Sequence, residues 1–105
     1  MTTTAEMIGV VGGGQLARMM VEAAAARQVA VAVQTASADD PACAGASRQV
    51  VADPRDVVGT RQLVVGCQGI TFENEWVNID ALIPLEQQGV RFRPCLLYTS
   101  PSPRD

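Results

Sequence analysis

Short apolar runs recur along the chain, each closed by small or polar residues and followed by a stretch of helical character. Met7-Ile8-Gly9-Val10-Val11 ends in Gly12-Gly13-Gly14, which reads as a strand buried on both faces running into a tight turn. Residues 15–27 are rich in strong helix formers, and Leu16, Met19, Met20, Ala23 and Ala26 are spaced to give one broad apolar face. Residues 29–33 form a second apolar strand, which can lie parallel to the first only by crossing over the intervening helix. The polar residues 35–41, with Ser37, Asp39 and Asp40, then read as a loop at a strand's carboxyl end.

Downstream the alternation continues. Residues 42–47 predict a short helix and Gln49-Val50-Val51-Ala52 a third strand. Asp53-Pro54 reads as a helix start, because an aspartate caps orphan amides and proline needs no partner at the first helical position. That helix is expected to reach about residue 65, with Gly66 at its end. Gly69-Ile70-Thr71-Phe72 is a fourth strand leading into Glu73-Asn74-Glu75, Asn78 caps a helix running through Gln88, Gly89 stops it, and Val90-Arg91-Phe92 is a fifth strand. Pro84 inside the last helix predicts a kink or two short helices, since a straight helix there costs ~3 kcal/mol. The pattern is that of an α/β chain: a three-layer, parallel-sheet, Rossmann-like half of about five strands.

Composition narrows the chemistry. With 105 residues the chain makes one small domain, and 48% hydrophobic residues dominated by alanine and valine fit close-packed strands and helices. The charge is -3, histidine is absent, and all eight basic residues are arginines scattered without a run, which argues against a nucleic-acid surface. Without lysine there is no P-loop lysine and no Schiff-base chemistry. Cys43, Cys67 and Cys95 lack zinc-ligand or redox spacing and read as small buried residues of a reducing compartment. No basic-then-apolar leader opens the chain and no apolar run approaches the ~18 residues that span a bilayer, so the expectation is a cytoplasmic protein without a membrane partner. No catalytic residue and no metal ligand is assigned.

Three glycines between a strand and a helix let the backbone approach a ligand closely, and the helix start offers unpaired amides, so phosphate is the natural guest. Gly12-x-Gly14-x-x-Ala17 also satisfies the dinucleotide fingerprint, which would make the chain an NAD(P)-binding module of an oxidoreductase. The acid that would hold the ribose ~20 positions on is missing, because Gln34 and Thr35 stand there. A third reading has the glycines serve helix-strand packing alone. Glu73 and Glu75 follow the fourth strand; if that strand lies near the first, Glu73 shares a crevice with Gly14 and Gln15, where a ribose phosphate fits both groups. Equally, the two carboxylates could solvate a turn or balance the next helix.

Taken together, Ile8-Gly9-Val10-Val11-Gly12-Gly13-Gly14-Gln15-Leu16-Ala17-Arg18-Met19-Met20 with Glu22-Ala23-Ala24, then Ile70-Thr71-Phe72-Glu73-Asn74-Glu75 and Gly89-Val90-Arg91-Phe92-Arg93-Pro94, resemble the amino-terminal, pre-ATP-grasp domain of the 5-(carboxyamino)imidazole ribonucleotide synthase family, especially its cyanobacterial-type members. The resemblance implies a purine-biosynthetic ligase that carboxylates 5-aminoimidazole ribonucleotide with bicarbonate. It implies ATP and Mg2+ bound by a following ATP-grasp domain, and a homodimeric parent. By motif, Gln15 and Leu16 would contact the ribonucleotide, Glu73 would bind its ribose, Gly13 and Gly14 would shape the loop, and Glu75 is a weaker candidate. Gln34-Thr35 stands where many members carry aspartate, and Pro84 interrupts a helix usually free of proline. Residues 95–105 resemble a translated sequencing adaptor, so the expected organisation is a substrate-side domain over residues 1–94, cut from a longer parent enzyme and inactive alone, with an artefactual disordered tail.

Overall fold

The computed structural model describes residues 6–73 and 79–93. The order is β1 (Met7–Val11), α1 (Gln15–Ala26), β2 (Ala30–Thr35), a 3-10 turn (Pro41–Ala44), β3 (Arg48–Val51), α2 (Val57–Leu63), β4 (Gly69–Phe72), α3 (Ile79–Gln87) and β5 (Phe92–Arg93). All strand pairs are parallel, in the order β3-β2-β1-β4-β5, four full strands and a two-residue fifth. β1 is central: Ile8 lies opposite Val31 on one side and Gly69 on the other, and Val11 opposite Gln34 and Phe72. Its continuous apolar run follows from having both faces covered.

The strands' alternation sorts side chains to two cores. Val10, Val31 and Val33 pack on one face against Ala17, Val21 and Ala24 of α1. On the other face Val11, Ala32, Val50 and Ile70 meet Leu63 of α2, Leu82 and Leu85 of α3, and Phe92. Phe72 and Phe92 stack at 5.6 Å on neighbouring strands. The three expected layers are therefore present.

Several local expectations are revised. The buried stripe of α1 is Ala17, Val21 and Ala24, one position out of step with the expected face, and Leu16 and Met19 point outward, 48% and 57% exposed. Both stripes satisfy helical periodicity; small side chains win because they let the helix lie close to the sheet. The 3-10 turn replaces the expected short helix. α2 begins three residues later than Asp53-Pro54 implied: Asp56 Oδ1 accepts from the Val58 amide (2.9 Å), while Asp53 Oδ1 accepts from the Arg55 amide (2.8 Å) in the turn before it. It ends at Leu63, whose carbonyl accepts from Arg48 Nη2 at 2.6 Å, and Gly66 follows with φ +80°. α3 runs as one helix with Pro84 inside it, not as two. Pro84 removes one intrahelical bond, and Leu82 and Leu85 on either side of it, 2% and 4% exposed, hold the segment against the sheet. β5 starts at Phe92 rather than Val90. Asn78 lies outside the described residues.

Candidate functional site

The chain steps outward from β1 to β2 and β3, then returns to place β4 and β5 on β1's other side. The connections from β1 and β4 therefore leave in opposite directions and open a crevice at the strands' carboxyl ends. The loop Gly12-Gly13-Gly14 forms one wall of it and Glu73, the residue after β4, the other.

Glu73 extends the β1·β4 ladder, its amide donating to the Val11 carbonyl at 2.9 Å. This points its side chain at the head of α1. Oε1 accepts from the Gly14 amide (3.1 Å) and Oε2 from the Ala17 amide (3.0 Å). The N-cap residue of α1, Gly14, has no side chain with which to cap, so a carboxylate 59 positions away supplies the acceptor. A cap of this kind stabilises by ~1 kcal/mol and a negative charge at a helix start adds a few tenths or more.

The glycines make room for that carboxylate. Gly12 sits at φ +126°, and a Cβ there would lie 2.6 Å from Glu73 Cβ; a Cβ on Gly14 would lie 2.7 Å from Glu73 Oε2. Of the expected site residues, Gly14 is bonded to Glu73, Gly13 beside it is buried, and Gln15 and Leu16 lie exposed in the first turn of α1 between the two amides that Glu73 binds. Glu75 lies outside the described residues.

The expected guest of the glycine loop was phosphate, and the geometry changes that expectation. Two of the helix-head amides already bind a carboxylate. Attraction of an anion to a helix start is worth ~0.3–1 kcal/mol, whereas two like charges ~4 Å apart repel by about 1 kcal/mol in water and about 4 kcal/mol in a half-buried setting. Repulsion wins while Glu73 stays. A carboxylate has about four acceptor positions, and two are used by the amides, so the crevice is built to receive hydroxyl and amino donors.

The dinucleotide reading loses its remaining support here. Gln34 is fully buried and faces the α2 side: Nε2 donates to the Asp53 and Asp56 carbonyls (2.9 and 3.1 Å) and Oε1 accepts from Thr60 Oγ1 (2.7 Å). It cannot also hold a ribose in the crevice. The alternative in which Glu73 balances the next helix is also corrected, since the helix it serves is α1, near the start of the chain.

Two contributors went unread in the sequence. Thr35 at the end of β2 and Asp40 in the loop after it are bonded, Thr35 Oγ1 donating to Asp40 Oδ2, and both press on Gly13. The available signal was a hydroxyl residue closing a strand beside a glycine loop, visible only once β2 is known to flank β1. Cys43 and Cys67 are free, and burial pushes both thiols up from their ordinary value, in keeping with structural cysteines. Among the described residues no helix is long and apolar enough to cross a membrane.

An open, parallel α/β sheet with a glycine loop facing an acidic residue at its switch point defines a domain of the Rossmann-like class. A family profile described as the ribonucleotide synthetase preATP-grasp domain matches residues 5–96. The chain belongs to that family. It is 48% identical over 87 residues to the N5-carboxyaminoimidazole ribonucleotide synthase of Synechococcus elongatus, covering 83% of this chain and 22% of the relative. It superposes on the N5-carboxyaminoimidazole ribonucleotide synthetase of Thermotoga maritima with a TM-score of 0.85 at 30% identity, covering 90% of this chain and 26% of that one. The Aspergillus clavatus N5-carboxyaminoimidazole synthase, solved with ADP and 5-aminoimidazole ribonucleotide, gives 0.81 at 31% identity, covering 91% and 26%. The chain thus spans about a quarter of the length of these relatives.

Proposed function

We propose that this domain forms the substrate-side wall of an ATP-dependent ligase that carboxylates the amino group of 5-aminoimidazole ribonucleotide with bicarbonate in purine biosynthesis. Glu73 accepts hydrogen bonds from the ribose hydroxyls with the lone pairs its amide contacts leave over. Gln15 offers its side-chain amide to polar groups of the ribonucleotide, and Leu16 supplies an apolar surface beside it. Gly13 and Gly14 shape the loop. The observation that carries this reading is the half-buried carboxylate of Glu73, held by the Gly14 and Ala17 amides at the head of α1, the turn to which Gln15 and Leu16 belong. The ribonucleotide bound in the related Aspergillus enzyme supports the choice of substrate.

ATP and magnesium belong to the ATP-grasp part of the longer protein. The reading assigns the metal no ligand in this domain. The 105-residue chain alone is inactive on this reading, and the parent is a cytoplasmic homodimer. The isolated chain binds the ribonucleotide weakly: three contacts at ~1–2 kcal/mol each barely exceed an association cost of at least ~4 kcal/mol.

Calorimetry of the isolated chain with 5-aminoimidazole ribonucleotide should show no tight binding; a micromolar constant would overturn the energetic argument. In the full-length enzyme, Glu73→Gln should raise the KM for the ribonucleotide by about tenfold, the equivalent of one lost charged hydrogen bond. The KM for ATP should stay within about twofold. Ribonucleotide kinetics unchanged by the substitution remove Glu73 from the site.

A further inference from the structure

The peptide unit joining Gly13 to Gly14 is gripped from both sides of the crevice. Its N–H, on Gly14, donates to Glu73 beyond β4. Its carbonyl, on Gly13, accepts from the Ala42 amide (3.1 Å) in the 3-10 turn that follows β2. One bond reaches it from each flank, and together they orient the peptide plane from which α1 departs.

The flank on the β2 side is itself tied down by a short relay. Thr35, buried at the last position of β2, donates its hydroxyl to Asp40 Oδ2. The Asp40 amide donates to the Ser37 carbonyl (3.1 Å) and its carbonyl accepts from the Cys43 amide (3.0 Å), closing the loop on one side and starting the 3-10 turn on the other. Asp40 Cβ lies 3.1 Å from where a Gly13 Cβ would stand, and Thr35 Cβ 2.6 Å. Loop, turn and glycine peptide are thereby packed as one body.

We propose that Thr35 and Asp40 are a positioning pair for the ribonucleotide site: their hydrogen bond sets the 3-10 turn, the turn sets the Gly13 carbonyl, and the carbonyl sets the direction in which Gln15 and Leu16 are presented beside Glu73. Neither residue touches the substrate. The inference rests on the substrate reading given above and adds roles that the family resemblance did not assign. Geometry held to within about half an ångström is what a binding constellation needs, and a relay through a buried hydroxyl supplies it at low mobility.

The test uses the full-length enzyme with Thr35→Val, which keeps the shape and removes the hydroxyl, Thr35→Ser, which keeps the hydroxyl, and Asp40→Ala. Thr35→Val and Asp40→Ala should each raise the KM for 5-aminoimidazole ribonucleotide roughly three- to tenfold, with the KM for ATP and kcat changed less than about twofold. Thr35→Ser should restore the parent value. A merely structural role would lower thermal stability without this split between the two substrates, or would leave Thr35→Ser as impaired as Thr35→Val, and either result overturns the proposal. Glu73→Gln and Gln15→Ala serve as controls: if they raise the ribonucleotide KM while Thr35→Val does not, the positioning role fails alone, and if they too have no effect, the substrate reading fails with it.

Discussion

Replacing Gly12 with alanine should destabilise the 105-residue chain by ~3 kcal/mol or more, seen in a urea titration as a lower midpoint with an unchanged slope. Two costs combine. The backbone at φ +126° lies outside the regions open to residues with a side chain, and the new methyl would lie 2.6 Å from Glu73 Cβ, an atom fixed by the strand pairing that holds the Glu73 backbone. Neither can relax locally, because the Gly12 amide is also held by the Gln34 carbonyl at 2.7 Å. For a domain of this size the corresponding fall in Tm is about 12 °C or more. A change below about 2 °C would show that the loop has another conformation available.

The second large effect belongs to Glu73 and has a built-in control. Glu73→Ala leaves the Gly14 and Ala17 amides to water and should cost ~1–2 kcal/mol. Gly14→Ala should act through the same contact, since its methyl would stand 2.7 Å from Oε2 and must push the carboxylate off both amides. The double variant should therefore be little worse than Glu73→Ala alone, with a coupling energy of ~1 kcal/mol or more between two residues distant in sequence. Strict additivity would mean that the carboxylate and the glycine do not share this space. Here the glycine at position 14 is explained by what it makes room for, not by the backbone angle it adopts, which is an ordinary extended one at φ -81°.

The stability role does not compete with the proposed substrate role. A carboxylate bonded to two amides has a fixed direction, and a fixed acceptor binds a sugar hydroxyl with less ordering cost than a mobile one. The same contacts explain why Glu73→Gln is the better probe of binding and Glu73→Ala of folding: glutamine keeps an acceptor oxygen for one amide while losing the charge.

The alternation of apolar runs with helix-forming stretches by itself determined the class of fold, the strand count and the parallel arrangement, because a buried strand must be apolar on both faces and parallel strands need crossovers. On the condition that β4 lies beside β1 it also put Gly14, Gln15 and Glu73 at one edge, since the carboxyl ends of neighbouring parallel strands share it; Gly13 and Leu16 were added by the family resemblance alone. What it left undecided turns on contacts between residues far apart in the chain. Periodicity allowed two stripes on α1, one through Leu16 and Met19 and one through Ala17, Val21 and Ala24, and only the closeness of the sheet selected the smaller set. The sequence pointed to Asp53 as the cap of α2, but Asp53 closes a turn with Arg55 and the cap falls to Asp56. Above all, the partner of the helix-head amides was settled by strand order: β4 beside β1 delivers Glu73 to α1, and no local pattern around Gly14 records a carboxylate that arrives from 59 residues away.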